Sequence, residues 1–296
     1  MRNKLFCFGL GYSARHFINH LVINHLENQN THWHIAGTHR TSRCLPDPAV
    51  SEYIFDGTQP MANAAEILSN VSHMLISTPP QETIGDPVLR YHGTEISKLK
   101  NLKWLGVLST TGIYGDRGGD WVDDDSPPAP TSGRGQQRLD AEQGWLKLCR
   151  DNQIPVHIFR LGSIYGPGKG QLPNLLAGRV KKIIKPGQFF SRIHVTDIAQ
   201  VLFASLTSLN PGLTYNVVDD MPAPSPDVLD YICDLLGQPH LPPIDYNNTD
   251  LSPMMKSFYS ENKRVRNDRI KSELGVTLKY PTYKEGFSNL VTSLPE

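Results

Sequence analysis

The sequence has no apolar run near the roughly 20 residues that a membrane-spanning helix needs, and its 39% apolar content is spread over short stretches. That excludes a helical membrane protein. It also lacks net charge, because 29 Lys and Arg offset 29 Asp and Glu. With no dense basic block, it does not read as a dedicated nucleic-acid binder, which carries a positive excess. The four cysteines, Cys7, Cys44, Cys149 and Cys233, are scattered and form no Cys-x-x-Cys pair. They point to structural thiols in a reducing cytoplasm. No internal repeat or low-complexity tract is present. The opening MRNKLFCFGLGYSAR places charge before an apolar stretch. That stretch is too short for a signal peptide and ends in a glycine turn and Arg15.

What is present is an alternation of short apolar runs with longer amphipathic ones, over 296 residues. Such a length accommodates one large or two modest domains. Leu5–Phe8, Trp33–Gly37, Tyr53–Phe55, His73–Ser77, Trp104–Leu108 and Val156–Leu161 read as buried strands. Between them, Ser13–Leu26, Met61–Leu68, Pro87–Leu99 and Ser132–Cys149 read as helices, the first with Phe17 and Leu21, and Ile18 and Val22, at four-residue spacing. Strands alternating with helices predict an α/β chain, a doubly wound parallel sheet covered on both faces. After Leu161 the texture changes and Gly and Pro punctuate residues 162–187. Further on we expect a helix over Asp197–Leu209 and a strand over Tyr215–Val218. Another helix is expected with Ser225 as N-cap, Pro226 first and Gly237 after it, then one over Asp268–Leu274 capped by Asn267. The last helix begins at Thr282 with Glu285 three residues on, a capping-box pattern. This part reads as a smaller mixed C-terminal domain.

Residues 9–14 are Gly9-Leu10-Gly11-Tyr12-Ser13-Ala14. Gly9 makes the tight turn after the first strand, and Gly11 lets the backbone approach a pyrophosphate. Ala14 is small enough for helix and strand to pack closely. The helix beginning near Ser13 aims its free N–H groups and positive dipole end at the phosphates. Strand before, helix after, and a second strand within thirty-odd residues form the context that gives this pattern meaning. An NAD-preferring site wants a carboxylate at the end of the second strand. Here the chain reads Thr38-His39-Arg40-Thr41-Ser42-Arg43. Arg40 and Arg43 suit a 2′-phosphate, which favours NADP, with NAD as the alternative. Asp56, ending the third strand, is placed to accept from the adenine amino group. Thr78-Pro79-Pro80, ending the fourth, lines the nicotinamide-side ribose.

Four more segments follow in order: Ser109–Gly115 (STTGIYG), Arg160–Gly168 (RLGSIYGPG), Arg192–Ala199 (RIHVTDIA) and Tyr215–Asp220 (YNVVDD). With the glycine turn they resemble the extended short-chain dehydrogenase/reductase superfamily, the NAD-dependent epimerase/dehydratase group, over nearly the whole chain. The resemblance implies a Rossmann-type domain over residues 1–165, a small C-terminal substrate domain over 166–296, and a return of 189–210 to the first domain. It implies a small-molecule substrate, and family members often form homodimers. It also implies a catalytic Ser or Thr, which falls on Thr110, and a Tyr-x-x-x-Lys at the start of the fifth helix. There the chain has Arg134 and Arg138, followed by Glu142 in register. It therefore resembles an atypical branch with replaced active-site residues. The nucleotide-sugar branch often carries an Arg four residues before the His of His-Val. Phe190 stands there, with Arg192 two before His194.

The replacement changes the chemistry. A Tyr beside a cation can shuttle a proton near neutral pH. An Arg has a pKa above about 12, and deprotonating it at pH 7 costs at least about 7 kcal/mol. Arg134 is therefore not a general base. Arg134 and Arg138, at i and i+4, share a helix face and suit an anion lying between them. Alternatively, one is solvated and the other pairs with Glu142. Two functions stay open: an NADP-binding enzyme acting on an anionic small molecule, with Tyr114 or Tyr165 as proton donor, or a non-catalytic NADP-binding sensor or scaffold.

Other clusters read as surface. His16 and His20, with His25, His32 and His34 beyond, lack a carboxylate or thiol to complete a metal set. Asp123-Asp124-Asp125 reads as a solvated acidic stretch inside the loop 115–130, a segment long enough to act as a lid. Lys181, Lys182 and Lys185 read as plain surface. Lys169 is a weaker anion contact, and Asn262–Val265 resembles a family segment near the cleft without a defined role.

Overall fold

The computed structural model describes residues 3–28, 33–41, 50–207 and 210–294. Along the chain come β1 (Asn3–Phe8), α1 (Tyr12–Asn28), β2 (Trp33–His39), β3 (Val50–Ile54), α2 (Ala64–Leu68), β4 (His73–Ile76), α3 (Pro87–Ile96) and β5 (Trp104–Thr110). Next are β6 (Trp121–Val122), α4 (Gly133–Asn152), β7 (Val156–Leu161), β8 (Ser163–Tyr165), α5 (Gln171–Leu176), β9 (Lys182–Ile184), β10 (Arg192–His194), α6 (Val195–Ser205) and β11 (Thr214–Val217). The chain closes with α7 (Ser225–Leu235), β12 (Pro243–Asp245), α8 (Pro253–Tyr259), β13 (Arg264–Val265), α9 (Asp268–Ser272) and α10 (Tyr283–Thr292).

Seven strands form one sheet in the order β11-β7-β5-β4-β1-β2-β3. The pairings β1–β2, β1–β4, β2–β3 and β4–β5 are parallel, with Leu5 opposite Ile35 and His73. The apolar runs become central strands because both faces are covered: β4, β7 and nearly all of β5 are buried along their length. Of the apolar residues on α1, Phe17, Ile18 and Leu21 are buried, whereas Val22 is 37% exposed. The four-residue repeat thus runs one position past the helix's apolar face.

The chain divides into two compact units. The first comprises Met1–Thr110, Gln136–Arg160 and Ala199–Tyr215; the second comprises Thr111–Gly135, Leu161–Ile198 and Asn216–Glu296. The first unit's core includes Phe6, Phe8, Leu68, Met74, Leu105, Trp145 and Ile158. The second has its own core, with Tyr165, Leu172, Val228, Ile232 and Phe287. Three two-stranded parallel pairs, β8–β10, β9–β12 and β6–β13, tie distant stretches of the second unit together.

The C-terminal helix starts as its sequence predicts. Thr282 Oγ1 accepts from the Lys284 amide, and Glu285 reaches back to the Thr282 amide at 2.9 Å. Two other caps differ from expectation. Pro224 is the N-cap of α7, and the hydroxyl of Ser225 instead receives a hydrogen bond from Gln171 Nε2 at 2.9 Å. Asn267 precedes α9 without capping it, and its amide donates to the Val218 carbonyl and the Asp220 carboxylate. In both cases a tertiary partner outbids the local cap.

Candidate functional site

In the first unit, β1 runs into Gly9, which has φ +93°. A Cβ there would lie 3.2 Å from Thr78 Oγ1 and 3.3 Å from the Thr78 amide, so the turn is pressed against the end of β4. The Gly9 amide donates to Thr38 Oγ1 and the Leu10 amide to the Thr38 carbonyl, both at 2.9 Å, which fastens the turn to β2. Gly11 differs: a Cβ there would meet nothing within 4 Å. The backbone at Gly11 therefore faces open space. The Arg15 amide bonds back to the Gly11 carbonyl at 3.0 Å. The first-turn amides before it have no acceptor within the helix. Ser13 and Ala14 are buried under this turn, and Tyr12 is partly exposed. An open backbone approach at a helix N-terminus fits a diphosphate.

At the far end of β2 a basic edge forms. Arg15 and His39 approach Glu52 at 3.6 and 3.1 Å, and Arg40 is exposed beside them. Arg43 lies outside the described residues. Arg15, His39 and Glu52 form a cluster the sequence reading had not assembled. Parallel pairing of β2 with β3, which sets Gly37 opposite Glu52, is what brings the carboxylate across. Asp56 is exposed and accepts from the amide and hydroxyl of Thr58, each at 2.8 Å. These bonds hold its carboxyl below the usual carboxylate range. Thr78 is half-buried and Pro79 exposed.

Thr110 ends β5 half-buried. Along α4, Arg138, Glu142 and Trp145 fall on one face at four- and three-residue spacing. Arg138 Nη1 donates to the Leu108 carbonyl at 2.7 Å. Glu142, 1% exposed, takes a bidentate contact from Arg160, whose Nη2 donates to Oε2 at 2.8 Å and Nε to Oε1 at 3.3 Å. Trp145 Nε1 donates to Asp86 at 2.8 Å, and Asp86 also caps α3 through the amides of Val88 and Leu89. Burial lowers the Arg138 pKa, with Asp86 and Glu142 opposing that shift. Glu142 is engaged by Arg160, not Arg138. Arg134 is exposed.

The second unit reveals buried polar chemistry where surface had been read. Asp124 is buried; its Oδ1 accepts from the Asn216 amide at 2.5 Å, and burial pushes its carboxyl up to about 6. Asp125 pairs with Arg269 at 2.7 Å. The acidic triplet is thus not one solvated patch: Asp124 is buried, Asp125 is ion-paired, and exposed Asp123 accepts from the Ser126 hydroxyl at 2.7 Å. The surrounding loop is no free lid: Ala129 bonds to Ile113, and the carbonyl of Asn262 accepts from the amides of Arg117 and Gly119. Asn262 also bonds Gly187 and Phe189, and Lys263 donates to the Gly115 carbonyl at 2.8 Å. The segment Asn262–Val265 is the tie that holds the loop. Lys182 pairs with Asp230 at 2.6 Å, and Lys185 bonds the Tyr259 carbonyl, so neither is plain surface. Lys169 is exposed.

Tyr114 is fully buried and donates to Asn216 Oδ1 at 2.8 Å. Tyr165 is stacked on Phe287 with its hydroxyl 3.4 Å from the Thr282 carbonyl, and burial raises its pKa far above the ordinary phenol value. Among the described residues no three metal-type side chains cluster. His16 and His20 face aromatic rings of Tyr12 and Phe203, the His25 side chain and His32 lie outside the description, and among the described residues no helix is long and apolar enough to cross a membrane.

This geometry, a parallel sheet with its first turn open over a helix N-terminus, defines a Rossmann-type α/β protein. Residues 89–218 match the model of the NAD dependent epimerase/dehydratase family. A functionally unknown conserved protein from Silicibacter pomeroyi DSS is 45% identical, with 98% of each chain covered and a TM-score of 0.84. The dTDP-glucose 4,6-dehydratase of Bacillus anthracis str. Ames, solved with NAD, is 19% identical over 99% of this chain and 96% of that one, TM-score 0.74. The UDP-glucuronic acid 4-epimerase of Bacillus cereus, also solved with NAD, is 14% identical over 98% of each chain, TM-score 0.73. No curated protein matches the sequence. The chain belongs to the NAD-dependent epimerase/dehydratase family.

Proposed function

We propose that this protein is an NADP-binding enzyme of an atypical branch of its family, acting in the cytoplasm on a small anionic molecule. The observation that carries the reading is the open space over Gly11 at the start of α1. The dehydratase and the epimerase above are similar folds that bind NAD. The basic edge of Arg15, His39 and Arg40 supports the 2′-phosphorylated form, because Glu52 is engaged by Arg15 and His39. Gly9, Gly11, Tyr12, Ser13 and Ala14 would hold the diphosphate, Arg40 the 2′-phosphate, Asp56 the adenine, and Thr78 and Pro79 the nicotinamide side. A bound nicotinamide supplies hydride acceptance and return. The three described cysteines are free thiols, in keeping with a reducing compartment.

Thr110 orients the reacting oxygen and Arg134, always charged, holds the anion. Arg138 acts as a positioning residue, since its bond to the Leu108 carbonyl fixes the strand two residues before Thr110. Two observations favour a second reading, a non-catalytic NADP sensor: the Tyr114 hydroxyl is committed as hydrogen-bond donor to Asn216 Oδ1, and Tyr165 is buried with a raised pKa. Neither serves readily as a proton donor at neutral pH. A homodimer belongs to the proposal and is read by light scattering.

The test is titration of NADPH and NADH, followed by nicotinamide fluorescence, in the natural protein and in Gly11→Val. Because Gly11 is exposed and unobstructed, the variant folds with an unchanged melting temperature. NADPH binding weakens at least about tenfold, because the side chain occupies the backbone approach to the diphosphate. Unchanged NADPH affinity in Gly11→Val, or no binding of either nucleotide to the natural protein, defeats both readings. Consumption of bound NADPH across a carbonyl and sugar panel then separates enzyme from sensor.

A further inference from the structure

A cavity of about 180 Å³ lies wholly within the second unit, away from the glycine turn in sequence. Its walls include Phe190, Tyr259, Phe258 and Phe287, with Arg192 and Gln171 as the polar groups of interest. Arg192 is 5% exposed. Its Nη1 donates to the carbonyls of Phe190 and Ala223, both at 2.9 Å. Among the described residues it has no carboxylate within 4 Å, and Nε and Nη2 have no acceptor. Neither nitrogen is among the side-chain atoms sealed from solvent without a partner, so that edge of the guanidinium opens onto the cavity it lines. Asp219 is the carboxylate that acts on Arg192 electrostatically, from beyond contact distance, with Oδ2 unpartnered. Gln171 adds a buried acceptor, Oε1, with no donor, while its Nε2 is held by Ser225.

The free Nε and Nη2 lie on one edge of a planar fork, a match for the two oxygens of a carboxylate. A single cation suits a monoanion better than a dianionic phosphate. The walls are aromatic, and a dry cavity of about 150 Å³ accepts one benzene ring. We propose that this cavity binds a carboxylic acid carried on a single aromatic ring, the carboxylate forked by Arg192. This goes beyond the proposed function: neither Thr110 nor Arg134 lines the cavity, so it is an anion site additional to the one assigned to Arg134, and its binding is tested by itself.

The experiment is calorimetric titration of the full-length protein with phenylacetate, 2-phenylacetamide and UDP. Phenylacetate is expected to bind at least about tenfold more tightly than its neutral amide, as a charge-assisted pair to a buried Arg requires. Arg192→Gln removes that preference and Arg192→Lys keeps only part of it. If loss of the two carbonyl bonds prevents Arg192→Gln from folding, Met255→Trp serves, because Met255 is 38% exposed at the cavity wall and the larger side chain fills the space. That variant is expected to lose phenylacetate binding while melting as the natural protein does. Equal affinity for acid and amide, undiminished acid binding in Arg192→Gln, or UDP binding more tightly than phenylacetate overturns the proposal. NADPH titration of the same samples separates the two readings. Lost acid preference with intact NADPH binding sinks only this one, and the converse sinks only the cofactor reading.

Discussion

The two units each bury an arginine, and they treat it in opposite ways. Arg160 of the first unit meets Glu142 bidentately at 2.8 and 3.3 Å, inside a seam completed by Arg138, Trp145 and Asp86. Arg192 of the second unit is equally buried but reaches only carbonyls, and its remaining donors face a cavity. A buried charge costs several kcal/mol unless paired. A scaffold removes that cost internally, whereas a binding site leaves part of it for a ligand to offset. The comparison separates structural from functional cations more clearly than residue type does.

The comparison breaks first, and hardest, at Arg160. Arg160→Met leaves Glu142 buried and uncompensated, and we expect a loss of about 3–5 kcal/mol in denaturant unfolding. Adding Glu142→Leu to it should restore most of that stability, because the orphaned charge goes too. Arg192→Met is expected to cost only about 2 kcal/mol, two hydrogen bonds to carbonyls at roughly 1 kcal/mol each. Equal losses at the two arginines would erase the distinction.

A smaller effect sharpens the second unit's side. Burial pushes the carboxyls of Asp124 and Asp197 up to about 6. Each binds its proton more tightly folded than unfolded, so the associated stability is fully present below about pH 4 and is lost as pH rises to about 6. Asp124→Asn keeps an acceptor for the Asn216 amide and does not ionise. Relative to the natural protein, its thermal midpoint should rise across pH 4–6 and stay level above. The smallest effect belongs to Asp125, which meets Arg269 at 2.7 Å but is mostly exposed. Asp125→Ala should change stability by less than about 1 kcal/mol, and less still in high salt.

Much of the fold was legible because buried parallel strands are apolar on both faces and leave a continuous signal, as in Trp104–Leu108 and Val156–Leu161. The short pairs β6–β13 and β9–β12 were not, because two or three residues carry no period. In the site, Gly9 and Gly11 declared themselves by spacing. Glu52 did not, since its role depends on the register between β2 and β3. Arg134 and Arg138 looked equivalent on a helical wheel, yet one is exposed and the other holds Leu108. Asp124 looked like its two acidic neighbours, and only folding buried it.

The order of apolar runs and the glycine turn determined, from the sequence alone, a Rossmann-type sheet, because local periodicity and backbone freedom are written residue by residue; the family followed from the resemblance of the ordered motifs. Which charges end up paired was decided only in three dimensions. Glu142 and Arg160 are 18 residues apart, and Arg192 meets the Ala223 carbonyl across 31. Coulomb and hydrogen-bond energies depend on distances and burial that no linear spacing encodes.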